Sequence, residues 1–167
     1  MGLEIERKFL VFGDGYKQQA FSKSHIVQGY ICSAKGRTVR VRIRDEKAYL
    51  TIKGPSEDGI GRYEFEKEIT LDEGRELMRL CEPGMIDKIR YLVKSPDGIH
   101  TFEVDEFFGE NEGLVMAEVE LSAADEKYEK PDFIAIEVTG DRRFYNSQLM
   151  KNPFCNWKSE VLKKNPV

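Results

Sequence analysis

Apolar and polar residues alternate with a period of two along most of the chain. The pattern holds over Leu3 to Phe9, Val27 to Ile31, Thr38 to Arg44 and Tyr49 to Lys53. It returns over Arg62 to Ile69, Lys88 to Val93, Thr101 to Phe107 and Val115 to Leu121. It predicts about eight strands, each with one apolar face. Turn-forming stretches separate them: Ala34-Lys35-Gly36, Gly54 to Gly59, Ser95-Pro96-Asp97-Gly98 and Gly109 to Gly113. Links this short predict antiparallel hairpins rather than βαβ crossovers. Helices are few. Thr70-x-x-Glu73 is a capping box that opens a helix running to about Glu82, stopped by Pro83-Gly84. Ser122-x-x-Asp125 predicts a second helix ended by Pro131. A third is expected from Arg142 to Met150, and a short one around Tyr16 to Phe21. The expected class is mainly β (α+β), and the absence of repeats and linkers predicts one domain over residues 1–167.

The charges on these strands are sorted by sign. Arg40, Arg42 and Arg44 share one face of their strand, and Lys88 and Arg90 share one face of theirs. Glu64, Glu66 and Glu68 make another strand acidic, as do Glu103 with Asp105 and Glu118 with Glu120. Glu4, Glu6 and Lys8 share a face on the first strand. A sheet with one wet face would explain any single strand. It does not explain the set, because like charges beside or opposite one another repel and solvated faces usually mix signs. Segregation makes sense if both signs converge on something that needs both. Carboxylates hold a divalent metal and an Arg/Lys cluster holds phosphate, so a polyphosphate with bound Mg²⁺ fits.

So many unpaired ions cannot occupy a dry core, since each costs several kcal/mol against a total stability of roughly 5–15 kcal/mol. The ionic faces are therefore expected to line water. About eight strands can close into a barrel whose lumen holds a small ligand. Apolar faces would then point outward under a few short helices, leaving some for a partner subunit, so a homodimer is possible.

Composition narrows the function classes. Lys plus Arg number 26 and Asp plus Glu 30, a net charge of −4, so no global basic field recruits nucleic acid. No apolar run reaches the roughly 18 residues of a membrane span, and the opening residues lack a signal-peptide pattern. The 3 cysteines, Cys32, Cys81 and Cys155, are odd in number and widely spaced, which argues against a disulfide framework or a zinc ribbon. The expected location is the cytosol. Nucleotide-binding P-loop, G-x-S-x-G and H-E-x-x-H patterns are absent.

Glu4-Ile5-Glu6-Arg7-Lys8 resembles the E-x-E-x-K signature of the CYTH superfamily, the triphosphate tunnel metalloenzymes. In order there follow Gln28-Gly29-Tyr30, Val39-Arg40-Val41-Arg42, Thr51-Ile52-Lys53-Gly54 and Tyr63-Glu64-Phe65-Glu66. Lys88-Ile89-Arg90, Val104-Asp105, Ala117-Glu118-Val119-Glu120, Glu137 to Asp141 and Tyr145-Asn146-Ser147 complete the likeness. It spans nearly the whole chain and is greatest to the small single-domain bacterial members. The resemblance implies a closed eight-stranded antiparallel β tunnel with a few short helices outside and a C-terminal helix. It also implies metal-dependent hydrolysis of a triphosphate, with inorganic tripolyphosphate first and nucleoside or thiamine triphosphate or adenylyl cyclase chemistry as alternatives. A non-catalytic polyphosphate-binding module is a further alternative, which the surplus of carboxylates disfavours.

The resemblance assigns Arg40, Arg42, Lys53, Lys88 and Arg90 to phosphate oxygens, with Lys8 between metal and phosphate. Glu4, Glu6, Glu118 and Glu120 are the first choice of metal ligands, followed by Asp105, Glu64 and Glu66. These hard oxygen donors suit Mg²⁺ or Mn²⁺, and their number allows two ions. Tyr30 is expected to act catalytically as a proton acceptor, although a tyrosine packed in the tunnel wall is the competing reading. Arg142, Arg143, Tyr145 and Asn146 are placed where a C-terminal helix could meet the ligand. Trp157 lies outside the strand pattern, so no stacking residue marks a pocket for an organic base.

Overall fold

The computed structural model describes residues 2–3, 5–55 and 62–164. Its strands are β1 (Gly2–Leu3), β2 (Ile5–Val11), β3 (Ser22–Cys32), β4 (Thr38–Arg44) and β5 (Lys47–Lys53). They continue as β6 (Tyr63–Ile69), β7 (Ile86–Lys94), β8 (Thr101–Phe107), β9 (Val115–Leu121) and β10 (Ile134–Glu137). Helices are short: α1 (Tyr16–Gln19), α2 (Leu71–Met78), α3 (Asn146–Leu149) and α4 (Lys158–Lys164). All the strands pair antiparallel in the order β1-β6-β5-β4-β3-β7-β8-β9-β2-β10. No ladder among the described residues joins β6 directly to β2. The circuit is completed because β1 bonds to β6 while β2, its continuation in the chain, bonds to β9. Counting β1 with β2, eight strands surround the bore, and β10 lies outside against β2.

The two sides of the strands have different packing. Phe9, Tyr91, Val93, Phe102, Val104, Ala117 and Val119 form a buried outer layer beneath Tyr16 of α1 and Phe133. A fully buried aromatic of this kind contributes roughly 1.5–3 kcal/mol. Inward positions change character along each strand. Lys8, Lys88, Asp105 and Glu118 each sit two residues from Leu10, Ile86, Phe107 and Met116. Those four apolar side chains pack with Phe144, Leu149, Phe154, Trp157 and Val161 in a second core. The C-terminal segment thus lies across one end of the bore. On the outer face of β5 and β6, Ile52, Tyr63 and Phe65 remain exposed, as expected from the shortage of covering helices.

Several boundaries differ from the sequence reading. The capping box forms: Thr70 Oγ1 accepts from the Glu73 amide at 3.0 Å and Glu73 accepts from the Thr70 amide at 2.9 Å. The helix ends sooner than expected, at Met78, because i→i+3 bonds at Arg79, Leu80 and Cys81 tighten its last turn. No helix follows Ser122. Its amide and hydroxyl both donate to Glu126, whose carboxylate also meets His100, so the serine is not available to cap Asp125. The expected helix from Arg142 to Met150 is broken in two. Asp141 caps a 3-10 turn at Arg142–Phe144, then Tyr145 takes an extended backbone with ψ 136° before α3 begins. The pattern missed β10 and α4. No described helix is long and apolar enough to cross a membrane.

Gly84, at φ +95°, fixes the C-terminal segment. A Cβ there would lie 2.1 Å from the Met150 carbonyl oxygen. Gly84→Ala is expected to cost at least about 2 kcal/mol in urea unfolding. Gly98→Ala, at φ +75° with nothing within 4 Å, carries only the backbone strain of about 1–2 kcal/mol and separates the two effects.

Candidate active site

A period of two gives each strand one inward face, occupied by even-numbered residues on β2, β3, β4, β6, β7 and β9 and by odd-numbered ones on β5 and β8. They surround a cavity of about 720 Å³. Of the residues singled out in the sequence, Glu6, Lys8, Tyr30, Arg40, Arg42, Lys53, Glu64, Glu66, Lys88, Arg90, Glu118 and Glu120 all line it. Glu4 lies outside the described residues. Asp105 sits behind the lining, only 2% exposed.

The wall made by β7, β8, β9 and β2 is a ladder of matched ions. Arg90 faces Asp105 in register and grips it with two bonds, Nε to Oδ1 at 2.8 Å and Nη2 to Oδ2 at 2.9 Å. Its third nitrogen, Nη1, donates to Glu103 Oε2 at 3.0 Å. Lys88 Nζ donates to Asp105 Oδ2 at 2.8 Å and to Asn146 Oδ1 at 3.0 Å. Burial opposes ionisation of Asp105, but Arg90 and Lys88 outweigh it and hold the carboxyl well below its usual range. Both its oxygens are thereby committed to cations. Burial, with Arg90 and Arg42 nearby, presses the Lys88 ammonium down to about 7 against the pull of Asp105. Lys8 faces Glu118 in register and approaches Oε1 to 3.4 Å, with its ammonium 4.9 Å from the Tyr145 ring centroid. Despite burial, Glu118 and Glu6 raise the Lys8 ammonium, which stays charged. The backbone of Lys8 is fixed as well. Its amide donates to Thr139 Oγ1 at 2.9 Å and its carbonyl accepts from Val138 at 2.8 Å, the contribution of the segment after β10.

The facing wall, β3 through β6, is predominantly basic on its inner strands and acidic at β6. Arg42 Nε donates to Gln28 Oε1 at 2.8 Å, and both are buried. Burial first, then Arg40 and Arg90, lower the Arg42 guanidinium to about 9. Arg40 donates to Thr51 Oγ1 at 3.1 Å and lies 3.5 Å from Glu66, while Thr51 donates to Glu66 at 2.7 Å. The buried Nε of Arg40 finds no acceptor. Such a donor costs about 1–3 kcal/mol unless a ligand satisfies it. Lys53 reaches Glu64 at 3.8 Å. Tyr30, opposite Arg40 in register, borders both the main cavity and a side pocket of about 30 Å³ that it shares with Arg40, Lys53 and Arg62.

The cavity also includes residues that the sequence reading did not single out. Glu103 faces Glu118 in register, and burial with Glu118 and Asp105 raises its carboxyl despite Arg90. The period of two puts Glu103 on the acidic face, and only the strand register sets it opposite Glu118. Arg62 is inward by the same period that places Glu64 and Glu66, and it adds a cation at the head of an acidic strand. Of the four residues expected near a C-terminal helix, Tyr145 and Asn146 do line the cavity, entering with Ser147 through the break before α3. Arg142 and Arg143 are not among the lining residues; Arg143 pairs with Asp141 at 2.7 Å and lies over Trp157. Arg44, exposed but still on the cavity lining, donates to Tyr49 Oη at 2.7 Å. Trp157 is buried in the second core and does not reach the cavity.

Known proteins share both the sequence and the fold. The CYTH domain model matches residues 2–145. The chain belongs to the CYTH domain family. An inorganic triphosphatase of Acetivibrio thermocellus is 51% identical over 159 residues, covering 95% of this chain and 99% of that protein. One from Nitrosomonas europaea is 35% identical over 155 residues, covering 87% of this chain and 95% of that protein. A solved structure of an inorganic triphosphatase superposes on this CYTH chain with a TM-score of 0.63 at 32% identity, over 88% of this chain and 97% of that one.

Glu118 gives the CYTH site a definite acid response. Lys8 and Arg90 overcome burial and hold its carboxyl at about 2, below its ordinary 4.5. The pairing therefore stabilises the fold fully above pH 4.5 and is lost as pH falls toward 2. Unfolding free energies of wild type should drop through that window, and Glu118→Gln should flatten the drop. An unchanged slope in the variant would place the acid response elsewhere.

Proposed function

We propose that this chain hydrolyses inorganic triphosphate (tripolyphosphate) to diphosphate and phosphate inside the cavity, with Mg²⁺ or Mn²⁺. The observation that carries the reading is the deep, sign-sorted lining, in which a buried Arg40 donor lacks any acceptor. Two relatives named inorganic triphosphatase support it. The whole chain, 1–167, is taken to act as one domain.

The donor set suits a hard divalent cation. Glu6 faces Glu120 and Glu103 faces Glu118, so four carboxylates occupy three adjacent strands. Paired carboxylates at one register position repel, and a cation relieves that repulsion. Among the described residues no three acidic, His or Cys side chains yet converge on one point, so coordination calls for side-chain rotation rather than a new backbone. Glu6, Glu118 and Glu120 would hold the ion with Glu4, and Glu103 is added to the set. Asp105 is reassigned as counter-ion to Lys88 and Arg90. Glu64 and Glu66, across the bore beside Lys53 and Arg40, are candidates for a second ion. When bound, the metal neutralises phosphate charge and polarises the phosphoryl group.

The chain's own groups position the triphosphate. Arg40, Arg42, Lys53, Lys88 and Arg90 neutralise the phosphate oxygens, the arginines as forks and the lysines as point charges. Lys8, held charged, neutralises the oxygens nearest the carboxylate wall. Water forms a new P–O bond at a terminal phosphorus, the bridging P–O bond breaks, and diphosphate leaves with its electron pair. Tyr30, bordering the side pocket, orients that water by accepting a hydrogen bond from it, and the proton passes to an oxygen of the product phosphate. Catalysis of this kind is mainly positioning and charge compensation.

Nucleoside or thiamine triphosphates are the second reading. Burial of Trp157 disfavours them, because it removes a platform for an organic base. The lining aromatics among the described residues are Tyr30 and Tyr145, and Lys8 sits over the Tyr145 ring.

A phosphate-release screen across tripolyphosphate, ATP, thiamine triphosphate and diphosphate, with Mg²⁺ and Mn²⁺, tests the reading. Tripolyphosphate should give the highest kcat/KM, and chelation should abolish it. Preference for a nucleotide would overturn the substrate assignment. Arg42→Ala should raise KM at least about tenfold, the loss of one charged hydrogen-bond partner. Glu120→Gln should abolish turnover while leaving the fold intact by circular dichroism.

A further inference from the structure

Lys88 and Arg42 stand on different strands, and neither touches the other through an ion pair. A chain of neutral amides connects them. Arg42 Nε donates to Gln28 Oε1 at 2.8 Å. Gln28 Nε2 donates to Asn146 Oδ1 at 3.3 Å, and the same oxygen accepts from Lys88 Nζ at 3.0 Å. Both ends of the chain, a guanidinium and an ammonium, are pure donors. Their presence fixes the amide orientations between them. Gln28 must turn its oxygen to Arg42 and so its nitrogen to Asn146, and Asn146 must turn its oxygen inward to satisfy two donors.

We propose that Asn146 is a positioning residue for the phosphate-gripping cations, through which the C-terminal segment sets the directions of Lys88 and, by way of Gln28, of Arg42. This rests on the triphosphatase reading above. Lys88 has three N–H donors. Asp105 and Asn146 take two, so the direction of the third is determined. Without Asn146 the ammonium can pivot about Asp105 alone. Gln28, fully buried, would lose its donor's partner and with it the hold on Arg42. Asn146 reaches the bore only because Tyr145 breaks the helix.

The test is a double-mutant cycle with Asn146→Ala and Gln28→Leu. It is read by kcat and KM for tripolyphosphate and by calorimetric affinity for tripolyphosphate itself. Each single variant should lose about tenfold in kcat/KM, the scale of one hydrogen bond to a charged group. The double variant should be no more than about threefold worse than the weaker single, because both cut one chain. Asn146→Asp keeps the acceptor but adds a negative charge, so it should retain kcat better than alanine while raising KM. Full activity and affinity in Asn146→Ala, or losses that simply multiply in the double variant, would overturn the proposal. Thermal unfolding runs alongside, and Asn146→Ser replaces alanine if that variant does not fold. Wild type that binds tripolyphosphate without cleaving it would refute the hydrolase reading. The affinity cycle would still decide the role of Asn146.

Discussion

An ion buried between strands survives only if the opposite charge is delivered to it, and here strand register makes that delivery. Arg90 faces Asp105, Lys8 faces Glu118 and Lys53 faces Glu64 because the ladders hold them at the same level. Breaking one such buried pair typically costs 3–5 kcal/mol. A slip of one residue would turn each strand's ions outward and its hydrocarbons inward. The sorted charges thus serve the fold and the site together: they specify one register, and that register creates the cavity.

The same alternation accounts for where the cavity stops. Moving two residues along β2, β7, β8 and β9 exchanges an ion for Leu10, Ile86, Phe107 or Met116. The Phe144, Phe154 and Trp157 cluster packs onto that apolar end. Trp157 seals hydrocarbon there and offers no stacking surface to a nucleobase. The proposed preference for an inorganic substrate and the stability of the closed end therefore share one structural origin.

Much of this was legible in the sequence, and the exceptions have physical causes. Period-two patterning located the eight strands of the bore, and the sign of each face predicted a cavity needing cations and carboxylates together. The expectation that those faces must meet water was too strict. Lys88 and Asp105 are buried, because bidentate and register pairing compensates charges that would be prohibitive alone. Asp105 looks like any other inward carboxylate until Arg90 and Lys88 are seen to occupy both its oxygens. The Ser122 signal failed because a tertiary partner, His100, claims the Glu126 carboxylate that also holds Ser122. Asn146 carries no local signal for its role, which depends on a helix break and on two residues far away in the chain.

Depth also governs how the surroundings act on the site. Mobile ions in solution screen exposed charges over about 10 Å at 0.1 M salt, but they do not penetrate between Lys88, Asp105 and Arg90. The field at that depth is therefore built into the wall, whereas the exposed Arg44 side chain, also on the cavity lining, lies within reach of screening. Raising ionic strength slows arrival more than it loosens the hold, so brine governs the encounter and the protein matrix governs residence.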